Sequence, residues 1–198
     1  ETVYSIQIFD ALRMIPFPDG IRKAVLSHLK DGAFLSDFGV SSVSREDTVH
    51  YETNDPDWSG AGCYTGDGAE LARTLWEMRE PRLAWDILSR LLWMGRTLPY
   101  YPQEHYCDKP MSPAHKRAND FAGVCGMEAI VYGLAGVTHC LDGSIIFDPQ
   151  PIPGGNVTLD PICHRGVPYA LSFCEGSMGL SCNGKILYEG EVKAVRIP

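Results

Sequence analysis

No two cysteines in this sequence are spaced C-x-x-C, although seven are present: Cys63, Cys107, Cys125, Cys140, Cys163, Cys174 and Cys182. A zinc site or a redox motif of that kind is therefore without support. The count is odd and the spacing irregular, so free thiols in a reducing compartment are the expected state. That favours a cytoplasmic location over a secreted one. Basic charge is also scarce: Lys and Arg total 17 against 25 Asp and Glu, a formal net charge of −8. This argues against a nucleic-acid backbone as partner. No apolar run is long enough to span a bilayer, and no signal peptide opens the chain. The first residue is Glu1 rather than Met, so the chain is expected to be processed, trimmed or cut from something longer.

What is present describes an ordinary folded protein. The chain has 198 residues, 44% hydrophobic and 21% charged, enough for one sizeable domain or one and a half small ones. Pro18-Asp19-Gly20 opens a helix expected to run to about Lys30, with Ala24, Val25, Leu26 and Leu29 on its buried side. Residues 31–66 form an irregular stretch whose aromatics, Phe34, Phe38, Tyr51, Trp58 and Tyr64, are too many for a disordered linker. Helices are expected at 67–79, with Leu71, Leu75 and Met78 at helical spacing, and at 81–94, with Leu83, Ile87, Leu88 and Leu91. Pro81 suits the first turn of the second, and the two should pack antiparallel. Another helix is expected at 119–134, where Gly123, Gly126 and Ala129 allow a neighbour close approach.

After Gly136 the apolar period changes. Segments 144–147, 156–159, 169–173, 185–188 and 192–197 read as short strands punctuated by Gly and Pro, and Asn183-Gly184 is a two-residue hairpin signal. The expected fold class is α+β, with a helical part at 1–137 and an antiparallel β domain at 138–198. Four helices close no barrel, and Trp76, Trp85 and Trp93 add bulk that needs neighbours. The chain is therefore expected to belong to a larger fold or an obligate oligomer, with its hairpin faces covered from outside.

Chemistry concentrates at Tyr100-Tyr101-Pro102-Gln103-Glu104-His105-Tyr106-Cys107-Asp108. This segment is expected on the loop between two helices. An acid on a proline-stiffened, aromatic loop suits a catalytic base of saccharide cleavage, since aromatics stack on sugar faces and the stiff loop fixes the aim. An exposed loop whose aromatics cap a core accounts for the same residues.

The order of motifs resembles that of the six-hairpin, (α/α)6-toroid glycosidases. Phe38-Gly39-Val40-Ser41-Ser42-Val43-Ser44, then Tyr51, then Asp57-Trp58-Ser59-Gly60, is similar to the run before the last helical hairpin in glycoside hydrolase family 63 and its trehalase-like relatives. A later E-x-Y carries the catalytic base there, and Glu104-His105-Tyr106 occupies that place. The likeness covers roughly residues 34–136. Further on, Leu141-Asp142-Gly143, Phe147-Asp148-Pro149, Pro151-Ile152-Pro153 and His164-Arg165-Gly166 resemble the β domain that follows the toroid in glycoside phosphorylases and α-L-rhamnosidases. Trp58-Ser59-Gly60-Ala61-Gly62-Cys63 departs from the family 63 pattern W-x-G-P-x-W by lacking the proline and second tryptophan.

The resemblance implies a partial (α/α)6 toroid followed by a β-sandwich, and hydrolysis of a glycosidic bond with inversion. Glu104 would be the general base, Asp108 a supporting carboxylate, and Trp58, Gly60, Tyr106, Tyr101 and Asp57 substrate contacts. Tyr100 reads like Tyr101. Asp55 could bind sugar hydroxyls, Asp67 is expected to cap its helix, and His105 and His115 are free to bind sugar hydroxyls. Asn119 or Asp120 should cap the last helix, and His164-Arg165-Gly166 should be a turn. No acid among Glu1, Asp10, Asp19 and Asp31 stands in a suitable context, so the general acid is expected from a missing N-terminal portion or another chain. No metal or cofactor is called for. A phosphorylase, which needs no base, and a non-catalytic carbohydrate-binding module are the alternatives.

Overall fold

The computed structural model describes residues 4–54, 59–113 and 117–198. It is a mixture of helices and antiparallel strands. A 3-10 turn at Ile6–Ile8 leads into α1 (Asp10–Met14) and α2 (Asp19–Leu26). Two short strands, β1 (Leu35–Ser36) and β2 (Gly39–Val40), pair next. Then β3 (Gly62–Tyr64) feeds α3 (Thr65–Glu77), followed by α4 (Pro81–Ser89), α5 (Trp93–Thr97) and β4 (Glu104–Tyr106). Next comes α6 (Asp120–Glu128), which continues as a π-helical turn over Ala129–Leu134.

Local chemistry explains the helix limits. Pro81 sits in the first turn of α4, where a missing N–H costs nothing. Arg79, at φ 63, ends α3, and the amides of Arg79 and Glu80 return to the carbonyls of Trp76 and Leu75. The helix expected at 81–94 is two helices, broken at Arg90–Leu92. The helix expected to reach Lys30 stops at Leu26. Leu29 is buried and Val25 and Leu26 are partly so, but Ala24 is exposed, so the stripe is narrower than its spacing implied.

The remaining strands form two antiparallel sheets. β7 (Val157–His164), β8 (Val167–Cys174), β9 (Ser177–Cys182) and β10 (Lys185–Gly190) make a meander in the order β10-β9-β8-β7. Asn183 and Gly184 both take positive φ in the β9–β10 turn, as a two-residue hairpin of the primed type requires. β5 (Thr138–His139), β6 (Ile145–Phe147) and β11 (Val195–Ile197) make the second sheet, with β6 central. His164-Arg165-Gly166 is the β7–β8 turn, Arg165 and Gly166 at positive φ. The Phe147 ring packs on Tyr169 at 5.5 Å, joining the two sheets.

One hydrophobic core runs through both parts of the chain. It takes in Phe9, Phe34, Leu71, Leu75, Trp76, Ile87, Leu88, Ile145, Phe147, Leu171 and Leu180. Trp76 is fully buried, and the π-helical turn crosses it so closely that a Cβ on Gly133 would lie 2.7 Å from its ring. Of the residues expected to allow close approach, Gly123 does, since a Cβ there would lie 3.2 Å from the Tyr101 ring, and Ala129 is fully buried, but nothing lies within 4 Å of a Cβ on Gly126. Gln150 donates to the Trp76 carbonyl at 2.7 Å, and Arg79 pairs with Asp148. The neighbours that the α3–α4 hairpin needs are thus supplied largely from within the chain, contrary to the expectation that they come from outside.

Large apolar side chains are nonetheless exposed, among them Leu141, Val49 and Met14 as well as a group on α6. On α6, Phe121, Val124 and Met127 are 60%, 49% and 60% exposed. Among the described residues no helix is long and apolar enough to cross a membrane.

Candidate functional site

The stretch 101–106 is laced between the beginnings of two helices. On one side β4 pairs antiparallel with β3, placing Tyr64 opposite Glu104, Cys63 opposite His105 and Gly62 opposite Tyr106. The Thr65 amide, at the start of α3, donates to the Gln103 carbonyl at 3.0 Å. On the other side the Gln103 amide donates to Arg117 at 2.8 Å, and the Asn119 amide to Tyr101 at 3.0 Å. The E-x-Y segment is therefore a short strand in a two-stranded ribbon, not a free loop. A strand of only three residues is held extended here by hydrogen-bond partners on both flanks.

Asn119 ties the two helix starts together. Its Oδ1 accepts from the amides of Phe121 at 2.9 Å and Ala122 at 3.3 Å, the N-cap arrangement. Its Nδ2 donates to the Tyr64 hydroxyl at 3.3 Å. Asp67 does not cap α3, whose N-cap is Tyr64. Asp67 lies in the first turn instead. Burial, then the nearby charges of Asp10 and Glu70, push its pKa up to about 6.

The expected site residues divide into buried and open groups. Glu104 is buried, with 2% of its surface exposed. His105, beside it, is not free to meet a sugar. It is 1% exposed, its Nδ1 lies 3.0 Å from Thr65 Oγ1, and its ring meets Trp93 edge-on at 6.2 Å. Burial lowers its pKa to about 4, so it is neutral near pH 7. Tyr106 is half-buried, with the Lys109 ammonium 4.2 Å above its ring. Asp108 is exposed. Gly60 pairs with Glu52, and a Cβ there would sit 2.2 Å from the Glu52 carbonyl oxygen, so close backbone packing accounts for this glycine. Trp58, Asp57, Asp55 and His115 lie outside the described residues.

Tyr101 is on the open side. It is 46% exposed and lines a groove of about 690 Å³ with Tyr100, Asn119, Asp120, Met127 and Tyr132. The groove is mostly apolar, with Asn119, Asp120 and Glu128 among its polar lining residues. Glu104 is not in its wall. Tyr64 and Glu70 were not singled out from sequence. Tyr64 read only as one more aromatic, and its pairing with Asn119 spans 55 residues of chain. No local signal carries such a contact.

No protein-family model matches the sequence, and no curated protein matches it. Among solved structures, the chain superposes on part of a protein titled "Sialidase" with a TM-score of 0.78 and 12% identity. That match covers 98% of this chain and 20% of the other. The chain thus has the fold of a segment about one fifth the length of that protein. A "Putative kojibiose phosphorylase from human microbiome" is matched over 67% of this chain and 19% of its own, at 11% identity and a TM-score of only 0.29.

Proposed function

We propose that this chain is the C-terminal portion of a glycoside hydrolase that cleaves a glycosidic bond in an oligosaccharide or glycoside. The observation that carries the reading is the fold shared with a protein titled sialidase along 98% of this chain. In this reading residues 1–137 are the last helices of an (α/α)6 toroid, and residues 138–198 a β-sandwich beside it. The rest of the toroid belongs to a preceding portion or another chain. It would cover the apolar side of α6, where three large side chains stand about half or more exposed.

The site lies where β4 meets the starts of α3 and α6. Glu104 is the general base, removing a proton from the water that attacks the anomeric carbon. The acid, outside this chain, protonates the leaving oxygen from the other face. In inverting enzymes the two carboxyls stand ~6.5–9.5 Å apart, leaving room for that water. Tyr101 and Tyr106, with Trp58, Asp57 and Gly60 from the preceding loop, are the proposed sugar contacts. Asn119 holds Tyr64 beside the base.

One observation favours a second reading. A general base must reach a water, and Glu104 is 2% exposed. In a phosphorylase, phosphate is itself the nucleophile and no base is needed, so a buried Glu104 would only brace the ribbon.

Glu104→Gln in the complete protein separates these readings. As a base, Glu104 is worth ~10²–10⁴-fold in kcat, with sugar affinity nearly unchanged. Retained hydrolysis by Glu104→Gln sinks the base assignment. Turnover that depends on inorganic phosphate selects the phosphorylase. The 198-residue chain alone is expected to hydrolyse aryl glycosides at no more than a background rate, because the acid is elsewhere.

A further inference from the structure

Cys63 and Cys107, far apart in sequence, share one small buried cluster with Ala61, packed against Tyr51. The β3–β4 ribbon brings them there. Cys63 stands opposite His105, and the Cys107 amide donates to the Ala61 carbonyl at 3.0 Å. Both thiols therefore fall on one face of the ribbon, one cross-strand step apart, where diagonal side chains can touch. Cys107 Sγ lies 3.3 Å from Ser41 Oγ. Arg45 donates to the Ser36 hydroxyl, and its guanidinium lies 5.6 Å over the Tyr51 ring.

The surroundings make the two thiols unequal. Cys107 is brought down to about 6, first by the Cys63 thiol donating to it, and then, against the cost of burial, by the Ser41 and Ser36 hydroxyls and the charge of Arg45. Cys63 is held well above the usual thiol range by burial and by its neighbour Cys107. One sulfur is thus a thiolate near pH 7 and the other keeps its proton. Cys125, buried beside Glu70 and Glu128, goes the opposite way, to about 11.

We propose that Cys63 and Cys107 are a peroxide-sensitive pair that closes to a disulfide across the β3–β4 ribbon. The Cys107 thiolate attacks hydrogen peroxide, breaking the O–O bond to give a sulfenic acid and hydroxide. The Cys63 thiol then attacks that sulfur, forming the S–S bond and releasing water. The two thiols lose two electrons and the peroxide gains them. Peroxide is small enough to enter a site closed to bulky disulfides. A disulfide usually brings its Cα atoms within ~4.4–6.8 Å, so closure draws Cys107 toward β3. The Cys107 carbonyl accepts the Phe38 amide at 2.9 Å, so the Phe38 loop moves with the strand bearing Glu104. This inference does not rest on the carbohydrate reading.

The other cysteines serve as internal controls. Cys163 is exposed, and Cys140, Cys174 and Cys182 are half-buried, so access alone would oxidise them first. The folded 198-residue protein is treated with a few equivalents of hydrogen peroxide at pH 7, quenched, alkylated under denaturing conditions and mapped by mass spectrometry. The expected product is a peptide pair joined through Cys63 and Cys107, 2 Da lighter than the two free thiols and released by dithiothreitol. In Cys63→Ser, which keeps a hydroxyl donor to Cys107, dimedone added with the denaturant after peroxide should label Cys107 with at least ten-fold preference over Cys163. Oxidation of Cys163 while Cys63 and Cys107 are recovered as thiols overturns the proposal, as does a dimedone adduct on Cys163 with none on Cys107 in Cys63→Ser. The wild-type map decides the matter even if the variant does not fold.

Discussion

Helices α3 and α6 lie side by side but have opposite surroundings. α3 carries a polar stripe, Asp67, Glu70, Arg73 and Glu77, yet nine of its thirteen residues are buried. α6 reads Asp-Phe-Ala-Gly-Val-Cys-Gly-Met-Glu, apolar on nearly every side, yet buries only Ala122 and Cys125. A helix apolar all round belongs inside a large protein. The difference is that α3 is enclosed within this chain while α6 is open on one side. The bridge between their polar edges, Arg73 to Glu128 at 2.7 Å, leaves the outer side of α6 untouched. The apolar groove beside Tyr101 and Tyr132 continues that uncovered side.

The sharpest way to break the comparison is at the centre of α3. Trp76→Ala removes the largest fully buried side chain among the described residues, packed beneath Gly133. It should cost ~3–5 kcal/mol, because the cavity cannot collapse against a backbone already in contact. Urea unfolding of the isolated chain measures this. A loss under 1 kcal/mol would mean that the core around α3 is not closed within this chain.

Asn119→Ala tests the joint between the two helices. It removes the α6 N-cap and the hydrogen bond to Tyr64 together, for ~1–2 kcal/mol. Asn119→Asp keeps the cap acceptor and loses the Nδ2 donor. It should recover about half of the loss. If Asn119→Asp is as damaging as Ala, the contact to Tyr64 carries the whole effect, and the cap none.

Much of α3, α4 and α6 was legible because their boundaries are local: Pro81 at a first turn, Asn119 at a cap, apolar residues three and four apart. β9 was not. Ser177–Cys182 has neither a β-branched nor an aromatic residue, and it is a strand only because β8 and β10 flank it on both edges. The same limit hid the state of Glu104. Its order in the chain pointed to the site, but its place on a strand and its burial depend on pairing with Tyr64, forty residues earlier. Likewise, the rows of apolar residues on the α3–α4 hairpin revealed that neighbours exist, but not that the Ala129–Leu134 turn, with Gly133 against Trp76, would be among them. Periodicity says which face is buried and is silent about what buries it.

Asp67, on the polar stripe of α3, predicts a pH dependence. Its folded pKa of about 6 lies above its ordinary 3.8, so between those values the folded state holds the proton more tightly than the unfolded chain. Its contribution to stability is fully present below about pH 4 and is lost as pH rises through 6. Asp10, also raised by burial and by Glu70, adds in the same direction. Asp67→Asn should remove most of this slope and stabilise the chain at pH 7 by on the order of 1 kcal/mol. Melting temperatures of the two proteins from pH 4 to 8 should converge at the acid end. Parallel curves would mean that Asp67 ionises as freely in the folded protein as in the unfolded chain.

The smallest effect is expected on the open side of α6, and its smallness is the point. Phe121→Ser with Met127→Gln replaces two side chains that are each 60% exposed. Neither belongs to a buried cluster of this chain, so folding should change by no more than about 0.5 kcal/mol. In the complete protein the same pair should cost several times as much, because there the remaining helices of the proposed toroid would bury both residues. Fully burying a Phe or Met side chain is worth ~1.5–3 kcal/mol. The comparison between the two contexts is therefore the measurement: one double substitution, two lengths of chain, two unfolding curves. A large loss already in the 198-residue chain would show that Phe121 and Met127 are packed within it. Equal, small losses in both would show that the α6 face stays open in the whole protein, and the case for a toroid completed by other helices would fall with it.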